Sequence, residues 1–311
     1  MLPVADTEER FAAVRGDEEV LRAGVDRLCG LLGVDTAMSR VADGSLPVYS
    51  VDDLVLKLFP PVFLAEWRVE VAVLRAVSGL LPTPTPRVHA AGQHDGWGYV
   101  LMSRLSGLPL ESVWDQTTAG ERDRLAAHLG ETISVLHGVP PPQIEDWWPE
   151  DWPAFVAQQL ARCVGEQREL GLAPVWLEQY PGFLDDVPLR AGTPVLLHTE
   201  IMRQHLLVAQ DHSGSWQMSG LFDFEPAMRG AREYEFASVG VFVSQGDSRF
   251  LRRVLIAYGY GKDELGRDLS RRLMAWGLLH RYSNLVAWLR RLPRPSRPTL
   301  DALADRWFGT A

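Results

Sequence analysis

His198, Glu200, His205 and Asp223 lie in one stretch where short apolar runs alternate with polar turns. Residues 195–197 form an apolar run that delivers His198-Thr199-Glu200. Two further apolar segments, 206–208 and 218–224, flank Asp211-His212-Ser213-Gly214, a turn signal, so the pair is expected to form a β-hairpin. The second strand is expected to run into Asp223-Phe224-Glu225. A His-x-acid loop, a hairpin and a second acid on the exiting strand would set two carboxylates facing each other across a cleft, which is how a phosphoryl-transfer site holds a base and a metal. The same His198-x-Glu200 with a further histidine also reads as a 2-His-1-carboxylate iron site, which needs a closed, strand-rich barrel.

The elements that must position these groups begin with helical spacing over 7–32, broken into two pieces at Gly16-Asp17. A strand-rich region spans 38–59, with Gly44-Ser45 at a turn and Leu54-Val55-Leu56-Lys57-Leu58-Phe59 as an apolar strand carrying one lysine. An unpaired ammonium is costly to bury, so Lys57 either snorkels to solvent at an edge or has an acidic partner. The amphipathic helix expected over 64–80 offers two: Glu70, beside the packed face of Val69, Val73, Leu74 and Val77, and Glu66 as the second choice. Pro82-Thr83-Pro84-Thr85-Pro86 is a stiff connector, followed by strands over 87–91 and 97–102 joined at His94-Asp95-Gly96.

Beyond it the chain turns helical. Thr118-x-x-Glu121 is a capping box ahead of a core stripe at Leu125, Leu129, Ile133 and Leu136. Further helices are expected over 155–170, 176–184, 236–243, 249–258 and 269–292. Residues 144–152 place Glu145, Asp146, Glu150 and Asp151 among Trp147, Trp148 and Trp152, either a surface loop pinned by partly buried tryptophans or an aromatic-acidic face for a polycation.

A chain of 311 residues that is 46% hydrophobic and 23% charged can bury a substantial core, in two domains or one bilobal unit. Its net charge of -9 argues against nucleic acid or an anionic membrane as partner and suits a cationic small molecule. Cys29 and Cys163 sit on apolar-periodic segments and are expected as buried free thiols in a reducing cytoplasm. Asp6, Glu8 and Glu9 argue against a signal peptide, and no apolar run is long enough to span a bilayer.

The stretch from His198 to Glu235 resembles the aminoglycoside phosphotransferase family, a kinase-like fold that includes choline kinases. Its pattern is His-x-Asp-x-x-x-x-Asn, a hairpin, then an Asp-led motif. Here His198, Asp223 and the spacing agree, whereas Glu200 stands at the catalytic Asp and His205 at the metal-binding Asn. Glu for Asp moves the carboxylate outward by roughly 1.5 Å; His for Asn exchanges an oxygen ligand for a nitrogen, which suits Mg²⁺ poorly. Gly230 to Ala237 is similar to the element whose acid ties down the catalytic loop, with Glu235 in that position. VLKLF, YVLMSRLSG, LHGVP and the two-helix N-terminal extension are most like hygromycin B 7''-O-kinase type enzymes.

The resemblance implies an α+β, bilobal protein-kinase-like fold, with a small β-rich N-lobe over 1–103 and a larger helical C-lobe over 104–311. It implies ATP (or GTP) and Mg²⁺ as cofactors. Lys57 with Glu70 would grip the phosphates and Ser45 would lie in the loop covering them. Met102 and Ser103 would receive the adenine ring through backbone groups. Asp223 and His205 would hold the metal, and Glu200 with His198 would serve catalysis on a hydroxyl of an aminoglycoside-like antibiotic or natural product. A pseudokinase that binds nucleotide without transfer, and a repurposed enzyme on the same fold, share these features.

Overall fold

The computed structural model describes residues 1–42, 44–145, 147–189 and 192–310. Asp146 of the acidic tryptophan segment lies outside them.

The N-terminal part is built on a five-stranded antiparallel sheet. Its strands are β1 (Ser39–Arg40), β2 (Val48–Val51), β3 (Leu54–Phe59), β4 (Val88–His94) and β5 (Trp97–Ser103), in the spatial order β1-β2-β3-β5-β4. β3 is central, and its apolar residues are sealed: Leu56, Leu58 and Phe59 are fully buried. Lys57 sits on this strand opposite Val48 on one side and Val100 on the other, so it is an interior residue rather than an edge one.

The helix Leu64–Val77 packs on the sheet through Val69, Glu70, Val73, Leu74 and Val77. Glu70 keeps the i, i+3, i+4, i+7 spacing with the last three and so belongs to the buried stripe itself. A close approach fixes the docking: Trp67 lies over Gly98, where any Cβ would come within 2.6 Å of the indole, and its Nε1–H donates to Tyr99 O at 3.0 Å.

The rest of the chain is helical around two small sheets. β6 (Leu108–Pro109), β8 (Leu206–Gln210) and β9 (Trp216–Leu221) form one; β7 (Val195–Leu197) and β10 (Met228–Gly230) form the other. The capping box opens the helix Ala119–Gly138, and Glu121 also accepts the Trp216 N–H at 3.1 Å, which ties that helix to the hairpin. Gly130 lets the helix Ser248–Tyr258 cross closely, since a Cβ there would meet Val254 O at 2.3 Å. Cys29 and Cys163 are buried and free. Among the described residues no helix is long and apolar enough to cross a membrane.

Three expected elements differ. The helix expected over 269–292 is two, Arg267–Leu278 and Leu285–Arg291, because His280 at the break turns inward to bond another loop. The helix over 176–184 is also two short ones, Pro174–Leu177 and Tyr180–Asp186, with a proline at the start of each. The second hairpin strand stops at Leu221, before the acids, because Asp223 takes a left-handed backbone (φ 73°) that a strand cannot accommodate.

Candidate active site

β7 pairs with β10 in the register Leu197↔Met228 and ends against a buried carboxylate. Glu235 accepts the backbone N–H groups of His198 (2.6 Å) and Thr199 (2.9 Å). Burial alone would push its carboxyl up, but His137 and the His198 N–H outweigh that and hold it below the ordinary Glu range. Thr199 has φ 70°, a left-handed conformation that is unfavourable for a β-branched residue by about 1–3 kcal/mol. Three bonds hold it: its N–H to Glu235, its Oγ1–H to Pro226 O at 2.9 Å, and its carbonyl accepting from His280 Nε2 at 3.1 Å.

The His198 ring is fully buried. Its Nε2–H donates to Phe222 O (3.0 Å) and its Nδ1 accepts the Glu200 N–H (3.3 Å). Burial lowers its pKa, so it is a neutral imidazole. Both nitrogens are committed to backbone, which leaves no ligand atom for the iron arrangement and makes His198 a positioning residue rather than one that touches the cleft. Among the described residues the sheets, of five, three and two strands, do not form the barrel that reading needs.

The other expected groups converge. Lys57 Nζ hydrogen-bonds Glu70 Oε2 and Asp223 Oδ1, each at 2.6 Å, and ion-pairs with Glu225 Oε2 at 2.6 Å. Desolvation opposes the ammonium, but Asp223, Glu225 and Glu70 together push the Lys57 pKa well above its ordinary value. Asp223 is pulled down to about 2, because Lys57 and His205 overcome its burial. Glu225 is pushed up to about 8, by burial first and then by Asp223 and Glu70 against the pull of Lys57, and Glu70 is raised chiefly by burial. Glu200 is pushed up to about 7 by burial and by Asp223. His205 lies at the junction, with Nδ1 2.8 Å from Glu200 O and Nε2 3.2 Å from Asp223 Oδ2.

Lys57, Glu70, His205 and Asp223 close one end of a cleft of about 780 Å³ between the five-stranded sheet and the β6-β8-β9 sheet. Ser45, Met102 and Ser103 line it, with Val48, Val55, Leu105 and Leu207 as apolar walls. The Ser103 N–H already donates to Arg87 O at 2.9 Å, so that donor is not offered to a ring as expected: the β4–β5 ladder runs on to its last residue.

Sequence reasoning missed three contributors. Glu225 was visible only as the second acid of Asp-x-Glu, since the left-handed turn at Asp223 that brings it to Lys57 has no signal in the sequence. His280 left no signal. Neither did Arg281, whose charge acts on Glu200 and whose guanidinium lies 4.4 Å from the Trp148 ring and 4.6 Å from that of Tyr282. In the tryptophan segment, Trp147 and Trp152 serve packing while Trp148 is exposed.

The donor set can be compared with the requirements of Mg²⁺. That ion takes oxygen donors in a near-octahedral shell. Glu200, His205 and Asp223 each bring a ligand atom within 4.8 Å of the others, but one of the three is an imidazole nitrogen. The set is therefore a poor match to Mg²⁺ and a better one to a first-row transition ion.

Residues 38–276 match the family described as APH, phosphotransferase enzyme family. Solved structures share the fold. The GDP complex of wild-type aminoglycoside 2'-phosphotransferase-IIIa superposes with a TM-score of 0.64 at 18% identity, covering 86% of this chain and 93% of that one. A thermostable mutant of aminoglycoside phosphotransferase APH(4)-Ia, in ternary complex with ADP and hygromycin B, gives 0.57 at 16% identity over 82% and 87%. The apoenzyme of macrolide 2'-phosphotransferase MphH from Brachybacterium faecium gives 0.57 at 20% identity over 87% and 98%.

Proposed function

The chain belongs to the phosphotransferase enzyme family, and from that premise we propose that it transfers the terminal phosphoryl group of ATP or GTP to a hydroxyl of a small molecule of the aminoglycoside-like kind. The observation that carries this is the convergence of Lys57, Glu70 and Asp223 at the end of an apolar-walled cleft, with Glu200 grouped beside Asp223. The apolar walls of Val48, Val55, Leu105 and Leu207 suit a purine. Lys57 would exchange a carboxylate contact for a phosphate oxygen of the nucleotide. Glu200, titrating near neutrality, would accept the proton of the acceptor hydroxyl. The hydroxyl O–H bond breaks toward Glu200, the oxygen bonds to the terminal phosphorus, and the P–O bond to the nucleoside diphosphate breaks with its electrons leaving on that diphosphate. GDP and ADP in the related structures, hygromycin B in one of them, and the acidic net charge of this chain support the nucleotide and a cationic acceptor.

A panel of aminoglycosides and macrolides incubated with ATP or GTP and the purified protein tests the proposal, read by mass spectrometry for one added phosphoryl group. No modified acceptor and no nucleotide hydrolysis with any divalent cation would overturn it. A second reading, nucleotide binding without transfer, is favoured by the imidazole of His205 among the acids; saturable nucleotide binding with no turnover would select it.

A further inference from the structure

Two ligand clusters share Asp223, and they are not alike. Glu70, Asp223 and Glu225 surround Lys57 Nζ, at 2.6 Å from each, so an ammonium of the protein itself is the cation of that cluster. Glu200, His205 and Asp223 form the other, and among the described residues no lysine or arginine ion-pairs with Glu200. Asp223 divides its two oxygens between them: Oδ1 goes to Lys57 and Oδ2 to His205.

The tautomer of His205 decides what the second cluster is for. Glu200 O is a carbonyl and can only accept, so the Nδ1 at 2.8 Å must carry its hydrogen and donate. In the neutral ring Nε2 then holds a lone pair, and that lone pair is aimed at a carboxylate oxygen 3.2 Å away. Two acceptors at this distance repel unless a positive centre lies between them, and either a proton on Nε2 or a bound cation is such a centre. An Nδ1–H donated to a backbone carbonyl, with Nε2 turned toward carboxylates, is the orientation that metal-binding histidines adopt. The His205 side chain is 11% exposed, so water screens the contact little.

We propose that His205 Nε2, Asp223 Oδ2 and one oxygen of the Glu200 carboxylate, whose second oxygen is left for the acceptor hydroxyl, bind a first-row transition ion, with Mn²⁺ taken in preference to Mg²⁺. The mixed nitrogen and oxygen donors suit such an ion, and an asparagine oxygen in place of the imidazole would suit Mg²⁺. The inference deepens the phosphotransferase reading by naming the cation that would accompany the nucleotide there.

The test uses the full-length protein with neither nucleotide nor acceptor. Pulsed electron paramagnetic resonance of added Mn²⁺ is expected to show coupling to one imidazole ¹⁴N, absent in His205→Asn. Calorimetric titration with MnCl₂ and MgCl₂ is expected to give a Mn²⁺/Mg²⁺ affinity ratio that falls by about 10-fold or more in that variant. An all-oxygen Mn²⁺ spectrum in the unaltered protein, no Mn²⁺ binding, or an unchanged ratio would overturn the proposal. The spectrum of the unaltered protein stands even if His205→Asn misfolds. Nitrogen coupling without any phosphoryl transfer would sink the catalytic reading and leave the metal site standing.

Discussion

Two histidines seven positions apart on the same loop, with rings 6.2 Å apart, have opposite jobs. His198 faces backward: both its nitrogens meet backbone groups, and around it Glu235, Thr199 and His280 satisfy one another. His205 faces forward, with one nitrogen on a carbonyl and the other against a carboxylate, amid acids pushed up to about 7 and about 8. The back of the loop is arranged for stability and the front is left in electrostatic tension. Substitutions behind the loop should therefore cost fold, and substitution of a front carboxylate held above its ordinary pKa, Glu200 or Glu225, should cost activity while leaving stability unchanged or improved.

The largest expected effect is at the front. Asp223→Ala should lower kcat by at least about a thousandfold, since it removes one of the three carboxylates around Lys57 and the one shared by both clusters; activity within tenfold of the unaltered protein would break the comparison. Next is the back. Glu235→Gln should cost about 2–3 kcal/mol in denaturant unfolding, because one amide oxygen cannot serve the His198 and Thr199 N–H groups as a buried carboxylate does. His280→Phe should cost about 1–2 kcal/mol by orphaning Thr199 O; no loss in thermal unfolding would mean that the left-handed turn holds itself.

The smallest effect has the opposite sign. With a chelator present, Glu200 is protonated in both folded and unfolded states below its ordinary 4.5, and only in the folded state between 4.5 and about 7. The stability it contributes is thus present in acid and lost as pH rises through about 7. Glu200→Gln should flatten that fall and leave the protein at pH 8 a few tenths to about 1 kcal/mol more stable, while transfer is lost. A steeper fall in the variant would reverse the assignment.

How much of this was legible follows from sequence distance. The His-x-Glu, His205 and Asp223 spacing was readable because one hairpin, closed by Asp211 to Gly214, sets their separation. Lys57 was readable because an ammonium in an apolar strand demands a partner, and Glu70 because it sits on its helix's buried stripe. His280 and Arg281 were not, because their role exists only once chain some eighty residues away folds against them. The strand's early end was also hidden: nothing in the apolar run 218–224 announces that Asp223 turns left-handed, whereas a glycine there would have done so.

Glu121 carries a consequence for the order in which the molecule opens. One oxygen of its carboxylate caps the helix Ala119–Gly138 through the Thr118 N–H, and the other holds Trp216 N–H at the start of β9. The first helical turn and the hairpin that presents Asp223 therefore share a single anchor. Their amides should exchange with deuterium as one cooperative unit, so a fluctuation that frays a distant helix end also loosens the acids of the cleft.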